Sequence, residues 1–368
     1  MVASALALED GSVFRGESFG ALVSGEGEVV FNTCMTGYQE ITTDPSYGGQ
    51  IVALTYPLIG NYGISHDHDE SRRPWIAGLI VREYYDDPSN WKSTGALGPF
   101  LRKHGIPALS GIDTRALTRR LRARGTMRAV IVHDASGLSD EDLAERARAV
   151  RPLSDQDFVQ SATVTEPYDR PASEPERSGL RVVLIDCGAK ENIVRSLARR
   201  RVDLTVVPYG TSAGEILALR PNGIVVSNGP GDPARLSTGV TTIRELLDSR
   251  VPLLGICLGH QLLGMAIGAR TSRLRFGHHG GNHPVKDVRS GAVHITSQNH
   301  EFQVDAATVS HDTGFYISQI NLNDRSVEGL THEEWPVFSV QYHPEGAPGP
   351  QDNQYIFDHF ISLFGKVP

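Results

Sequence analysis

A cysteine held between two glycines at the end of an apolar run is the first place in this sequence where chemistry could be done. Gly255-Ile256-Cys257-Leu258-Gly259 follows the run Val251–Ile256 and leads into a helical pattern over Gly259–Ile267. This is a Gly-x-Cys-x-Gly form of the nucleophile elbow, a tight strand-to-helix turn that pushes one side chain into the open. Glycines flank it because such a turn brings backbone segments too close for a Cβ. A thiol at a helix N-terminus faces free N–H groups and the positive end of the helix dipole, which favours the thiolate. That help matters, because a free thiol with a pKa of ~8.5 is only slightly ionised near neutrality.

A thiol nucleophile needs a base and a group to orient that base. Pro336–Tyr342 reads as a buried strand, and it runs into His343-Pro344-Glu345. His343 then stands where a strand delivers side chains to the edge of a sheet. Glu345, two residues on, projects the same way and can hold the second ring nitrogen. An acyl-transfer mechanism also needs donors for a tetrahedral oxyanion. Ser227-Asn228-Gly229-Pro230-Gly231-Asp232-Pro233 supplies a stiff loop with backbone N–H groups. One of these, with the N–H of Leu258, would form that hole. Alone, the Pro-Gly loop is an ordinary turn; beside the elbow and the His-Pro-Glu run it becomes part of a constellation.

The elements that must position these residues are clear in the C-terminal half. Arg181–Asp186, Val202–Val207, Gly223–Ser227 and Val251–Ile256 are apolar, β-branched runs. Helical patterns alternate with them over Lys190–Arg200, Ala213–Leu219, Thr241–Asp248 and Gly259–Ile267. Strands apolar throughout, alternating with helices, predict a parallel sheet covered on both faces. In such sheets sites form outside the carboxyl ends of the strands. The N-terminal half offers shorter strand candidates at Ala3–Leu8, Val29–Phe31, Ile51–Tyr56, Trp75–Glu83 and Met127–Val132. Helical patterns there cover Pro99–His104 and Thr114–Arg124, so a mixed α+β, β-rich domain is expected.

A Pro- and Glu-rich stretch at Val164–Gly179 reads as a linker, giving domains over residues 1–163 and 180–368. The 368 residues are enough for two domains with full cores. A net charge of −8 leaves no large positive field, so neither nucleic acid nor an anionic membrane surface is an expected partner. Three scattered cysteines, Cys34, Cys187 and Cys257, fit a reducing cytoplasm rather than a disulfide framework. The N-terminus reads as a first strand rather than a secretory signal, and no 18-residue apolar run is present.

The runs GICLGHQ, SNGPGDP and QYHPE, in this chain, resemble the class I (triad) glutamine amidotransferases. FNTCMTGYQEITTDPSY, ALTYPLIGNYGI and GIDTRALTRRLRARGTM are similar to the small, glutamine-hydrolysing subunit of carbamoyl phosphate synthetase, as are FGHHGGNHPV and SQNHEF. The resemblance spans almost the whole chain. It implies an α/β fold: a C-terminal flavodoxin-like, doubly wound parallel sheet with the nucleophile elbow, beside the N-terminal mixed domain. It implies hydrolysis of L-glutamine to glutamate and ammonia, with Cys257 as nucleophile, His343 as base and acid, and Glu345 as its orienting carboxylate. Glutamine-binding positions would be Ser46, Gly229, Gly231, Leu258, Gln261, Asn299, Glu301 and Phe302. The resemblance implies a large subunit as partner, in a heterodimer or higher oligomer. That partner would receive the ammonia and make carbamoyl phosphate for pyrimidine and arginine synthesis. ATP and a divalent metal would lie on the large subunit, with no cofactor in this chain; no G-x-x-x-x-G-K-[ST] run occurs here.

One residue departs from the family pattern: Glu301 stands where Asn-His is often followed by glycine. It serves as a main-chain contact provided its φ is negative. No metal site is expected at His66-Asp67-His68-Asp69, nor at His278, His279 and His283, which lack thiolate or helical His-x-x-x-His spacing. Arg119, Arg120, Arg122 and Arg124 read as a solvated helix face. The competing readings are a stand-alone α/β cysteine hydrolase of γ-glutamyl hydrolase or peptidase type, and a non-catalytic relic. The first gives no reason for the N-terminal domain, and the second would be expected to have lost Cys257 or His343.

Overall fold

The computed structural model describes residues 3–174 and 179–365. The chain forms two compact units, Met1–Gln156 with Arg275–Gly280, and Asp157–Leu274 with Gly281–Pro368.

The first unit is built on a closed barrel. Its strands are β1 (Ala3–Leu8), β2 (Val13–Ser18), β3 (Gly25–Asn32), β4 (Gln50–Leu54), β6 (Gly78–Ile80), β8 (Ala108–Ser110) and β9 (Met127–Val132). A separate two-stranded pair joins β5 (Leu58–Ile59) to β7 (Glu83–Tyr84). Around the barrel the order is β1-β2-β8-β6-β4-β3-β9, with β9 closing on β1. Its helices are α1 (Tyr38–Thr43), α2 (Leu97–Lys103), α3 (Thr114–Arg124) and α4 (Asp140–Ala149). Alternation along β1 shows why both sides are apolar: Leu6 and Leu8 join the cluster containing Leu117 and Leu121 of α3. Ala5 and Ala7 face the other way, onto Leu143 and Ala147 of α4. The expected β-rich domain thus closes on itself, which removes exposed edges. Of the strand expected over Trp75–Glu83, only Gly78–Ile80 joins the barrel.

In the second unit β11 (Leu180–Asp186), β12 (Val202–Pro208), β13 (Gly223–Val226), β14 (Leu253–Ile256) and β19 (Val337–Val340) are parallel, in the order β12-β11-β13-β14-β19. The short α5 (Val159–Ala162) precedes them. One face carries α7 (Ala213–Ala218), α8 (Ser237–Asp248) and α9 (Leu258–Ala266); the other carries α6 (Glu191–Ala198) and α10 (Tyr355–Ser362). Each strand feeds both. Val183, Ile185, Ile224 and Val226 pack with Ile216, Ile243 and Leu262, whereas Val182, Leu184, Val225 and Ile256 pack with Ile193, Leu197 and Phe360. That two-sided burial is the reason the sequence shows unbroken apolar runs.

Two features depart from expectation. The parallel sheet is extended to ten strands by β10 (Tyr168–Arg170) on one edge and by β18 (Val327–His332), β17 (Phe315–Asn321), β15 (Thr271–Asp287) and β16 (Val293–Val304) on the other. The stretch expected to be a linker also forms structure. Tyr168–Arg170 pairs antiparallel with β12, Val164 N–H donates to Asp186 Oδ2 at 2.7 Å, and Ala172 N–H to Asp203 Oδ1 at 2.9 Å. The boundary between the units accordingly falls after Gln156; residues 175–178 of the expected linker lie outside the described residues.

Candidate active site

Strands β11, β13, β14 and β19 are parallel neighbours, so the segments that follow them share one edge of the sheet. Cys257 follows β14 and is the N-cap of α9, with φ 54° and ψ −103°. A positive φ at a non-glycine residue is a strained conformation held by its surroundings. Here the Cys257 N–H donates to Val340 O of β19 at 2.9 Å, and its carbonyl accepts from Gln261 N at 3.2 Å. Gly259 makes the turn possible, since a Cβ there would lie 2.2 Å from the Val226 carbonyl oxygen. The elbow does not push the thiol into solvent. Cys257 is 2% exposed, and its Sγ lies 3.6 Å from the Asn299 carbonyl oxygen.

His343 and Glu345 follow β19 and are buried, at 1% and 0% exposure. His343 N–H donates to Ser297 O at 2.8 Å, and the ring Nδ1 lies 2.7 Å from Glu345 Oε1. A nitrogen facing a carboxylate carries the proton, which leaves Nε2 for the thiol side. Burial alone would lower the proton affinity of His343; the Glu345 carboxylate, and then the Cys257 thiol, outweigh it and raise the imidazole well above its ordinary value. Burial alone would likewise raise Glu345, but the Lys190 ammonium and the His343 ring hold it well below the usual carboxylate range. The arrangement favours the protonated form of the imidazole over the neutral one.

The sequence puts Lys190 at the start of the helical pattern Lys190–Arg200, with no sign of a buried role. It is instead 1% exposed, with Nζ 3.0 Å from Glu345 Oε1. A buried ammonium survives only with a partner of opposite charge, and no local pattern announces a partner 155 positions away. Its main-chain N–H donates to Asn228 Oδ1 at 3.1 Å, tying the segment after β11 to the Ser227–Pro233 loop.

That loop lies against the elbow. A Cβ on Gly229 would stand 2.3 Å from Cys187 O and 2.8 Å from Leu258 Cδ2. Gly259 N–H is taken by Ser227 O at 3.1 Å. Leu258 N–H, between two engaged neighbours, sits at the first helical position, where the helix itself supplies no acceptor. Gly231 belongs to the same loop, with φ 93°.

The other expected binding residues converge from α9 and β16. Gln261 Nε2 donates to Phe302 O at 2.8 Å and to Gln341 Oε1 at 3.2 Å, so the side chain presents its oxygen, an acceptor suited to an ammonium head group. Asn299, Glu301 and Phe302 lie on one strand, and Glu301 is not among the residues with positive φ. Its buried carboxylate pairs with Arg273, Nη2 to Oε2 at 3.1 Å. Ser46 belongs to the first unit, in a 3-10 turn capped by Asp44, whose Oδ1 accepts from Ser46 N at 2.9 Å. Also in that unit, the His66–His68 turn has its His68 Nδ1 2.8 Å from Glu40 Oε1, and Arg120 pairs with Asp10 at 2.7 Å.

Two family descriptions match the chain: "Carbamoyl-phosphate synthase small chain, CPSase domain" over residues 6–131 and "Glutamine amidotransferase class-I" over residues 183–363. A carbamoyl phosphate synthase small chain of Symbiobacterium thermophilum is 49% identical over 362 residues, 98% of each chain. That of Methanopyrus kandleri is also 49% identical over 362 residues, again 98% of each. The pyrimidine-specific small chain of Halalkalibacterium halodurans is 50% identical over 358 residues, 97% of this chain and 96% of that one. Two domain matches that leave little of the sequence over, and near-full-length identity to these proteins, establish that the chain belongs to the carbamoyl phosphate synthase small-chain family.

Proposed function

We propose that this chain hydrolyses L-glutamine to glutamate and ammonia through a γ-glutamyl thioester on Cys257, and hands the ammonia to a large chain for carbamoyl phosphate synthesis. The observation that carries the reading is the convergence of Cys257, His343 and Glu345 from two adjacent parallel strands in a chain of this family. The 2-1-3-4-5 order of the parallel strands supports a flavodoxin-like description of the unit that holds them.

The chemistry follows from the groups present. Sγ of Cys257 attacks the carboxamide carbon, and the carbonyl oxygen takes up the negative charge. N–H groups of Leu258 and of the Gly229–Gly231 loop are the donors for that oxyanion. The C–N bond then breaks, and His343 gives its proton to the departing nitrogen, releasing ammonia. Water, deprotonated by His343, attacks the thioester; the thiolate leaves and glutamate is freed. Glu345 keeps the imidazole in the right tautomer. Gln261 Oε1 accepts from the α-ammonium, main-chain groups of Asn299, Glu301 and Phe302 hold the rest, and Ser46 is the remaining glutamine contact that the family resemblance implies. Tighter grip on the tetrahedral state than on glutamine is what would raise kcat.

The large chain would carry the ATP and divalent-metal chemistry, this chain holding no cofactor, in a cytoplasmic complex serving pyrimidine and arginine synthesis. Among the described residues no helix is long and apolar enough to cross a membrane. The test measures glutamate release and carbamoyl phosphate formation by the native and Cys257→Ser chains, each with the large chain from the same genome. Glutamine-dependent synthesis by the native complex is expected, lost in Cys257→Ser, while added ammonia still supports synthesis in both. A Cys257→Ser complex with full glutaminase activity would overturn the nucleophile.

A further inference from the structure

Glu345 Oε1 takes both charged partners, His343 Nδ1 at 2.7 Å and Lys190 Nζ at 3.0 Å, while the buried Oε2 makes no hydrogen bond. A carboxylate gripped through both oxygens is fixed like a fork; one gripped through a single oxygen is not. Where this carboxylate points therefore depends on where the main chain of residue 345 is held. His343-Pro344-Glu345-Gly346 is a turn, closed by Gly346 N–H to His343 O at 3.2 Å. Two side-chain amides converge on the Glu345 carbonyl oxygen: Asn192 Nδ2 at 2.8 Å and Gln354 Nε2 at 3.2 Å.

The two anchors come from different helices. Asn192 is in the first turn of α6, two residues after Lys190, so one helix start reaches both the carboxylate and the carbonyl of Glu345. Gln354 precedes α10, and its Oε1 accepts from Arg200 Nη1 at 3.2 Å, which fixes the direction of its Nε2.

We propose that Asn192 is a positioning residue for the hydrolytic reaction: by holding the Glu345 main chain it sets the carboxylate that orients His343, with Gln354 as a second, weaker anchor. The proposal rests on the glutaminase reading of the site. A side chain that only stabilised the fold would lower the amount of native protein and leave the chemistry of what remained unchanged.

The experiment uses the complex with the large chain, in native form and carrying Asn192→Ala, Glu345→Ala or both. Asn192→Ala is expected to lower kcat for glutamine hydrolysis about tenfold with KM within about twofold, since small misplacements near reacting groups are costly. Combined with Glu345→Ala, its further cost should fall below about twofold, because the two act as one unit. Gln354→Ala should repeat the pattern at about threefold, which keeps the idea testable if Asn192→Ala folds poorly. The rate at which iodoacetamide alkylates Cys257 at neutral pH is a second readout. It should fall in Asn192→Ala and in Glu345→Ala, and no further in the double variant. Multiplicative losses in the double variant, or native kcat and alkylation in Asn192→Ala, would overturn the proposal. A native complex that releases no glutamate would count against the glutaminase reading instead, and the alkylation rates would still decide the role of Asn192.

Discussion

Two cysteines stand one residue beyond parallel strands of the same sheet, Cys187 after β11 and Cys257 after β14, with only β13 between those strands. Both are buried, at 0% and 2% exposure. Burial, followed by the Asp186 carboxylate, drives the Cys187 thiol far above its ordinary value. Its N–H donates to Ser227 Oγ at 2.9 Å, and the next helix begins only at Glu191. Cys257 caps its helix directly and acts on His343. The same contrast holds for the bases. His260 is fully buried with Nδ1 2.8 Å from Ser339 Oγ, and burial pulls it down to about 3. His343 is equally buried but faces a carboxylate and is raised. A sheet edge becomes reactive where a helix start and a buried ion pair meet, and neither residue type nor burial is enough.

The sharpest way to break this comparison is to exchange the losses. Cys257→Ala should abolish glutamine hydrolysis, by roughly a thousandfold or more. Cys187→Ala should leave kcat within about twofold and cost about 1–2 kcal/mol of stability, read from urea unfolding. Equal activity losses in both variants would erase the distinction. Gly229→Ala probes the loop that lies between the two cysteines. With Cys187 O only 2.3 Å from the added Cβ, the loop must shift, and kcat should fall about 10- to 100-fold with a smaller change in KM. A native kcat would remove that loop from the oxyanion site.

The smallest effect concerns pH. Glu345 is depressed in the folded state, so its contribution to stability is present above the ordinary glutamate value and is lost as pH falls below it. His343 is raised, so its contribution is complete below the ordinary histidine value and is lost as pH rises above it. Between pH 7 and pH 3 the native chain should therefore lose about 1–3 kcal/mol more stability than Glu345→Gln, measured by urea midpoints across that range. Parallel pH curves would mean that the ion pair contributes nothing to the fold.

Local patterns made much of this legible. The strands Ala3–Leu8 and Met127–Val132 and the helix Thr114–Arg124 lie where the sequence places them, because their apolar spacing is regular and their ends carry turn or cap residues. Asp113, for example, accepts from Ala116 N and caps that helix. Val13–Ser18 escaped because its burial alternates only between partial and full exposure. The antiparallel extension escaped because glycines and histidines in Thr271–Asp287 look like loop. Pro and Glu around Tyr168 suggested a linker, whereas an edge strand tolerates such residues. In the site, Cys257, His343 and Glu345 are readable from the turns that carry them. Lys190 and Asn192 are not, since their partner Glu345 lies far along the chain, and Gln354 is not, since a charged or amide residue at a helix end is ordinarily solvated even when, as here, its partner is near in sequence.

Arg275–Gly280 belongs to the first unit, although the chain on either side belongs to the second. The polypeptide thus crosses from one unit to the other three times. No single cleavage yields two intact halves. A fragment beginning at Asp157 would carry Phe276 without Phe31, whose ring centroid lies 5.9 Å from its own in the complete chain. The amidotransferase unit is therefore poorly suited to being excised and grafted onto another synthetase, and an exchange between relatives would have to move both units together.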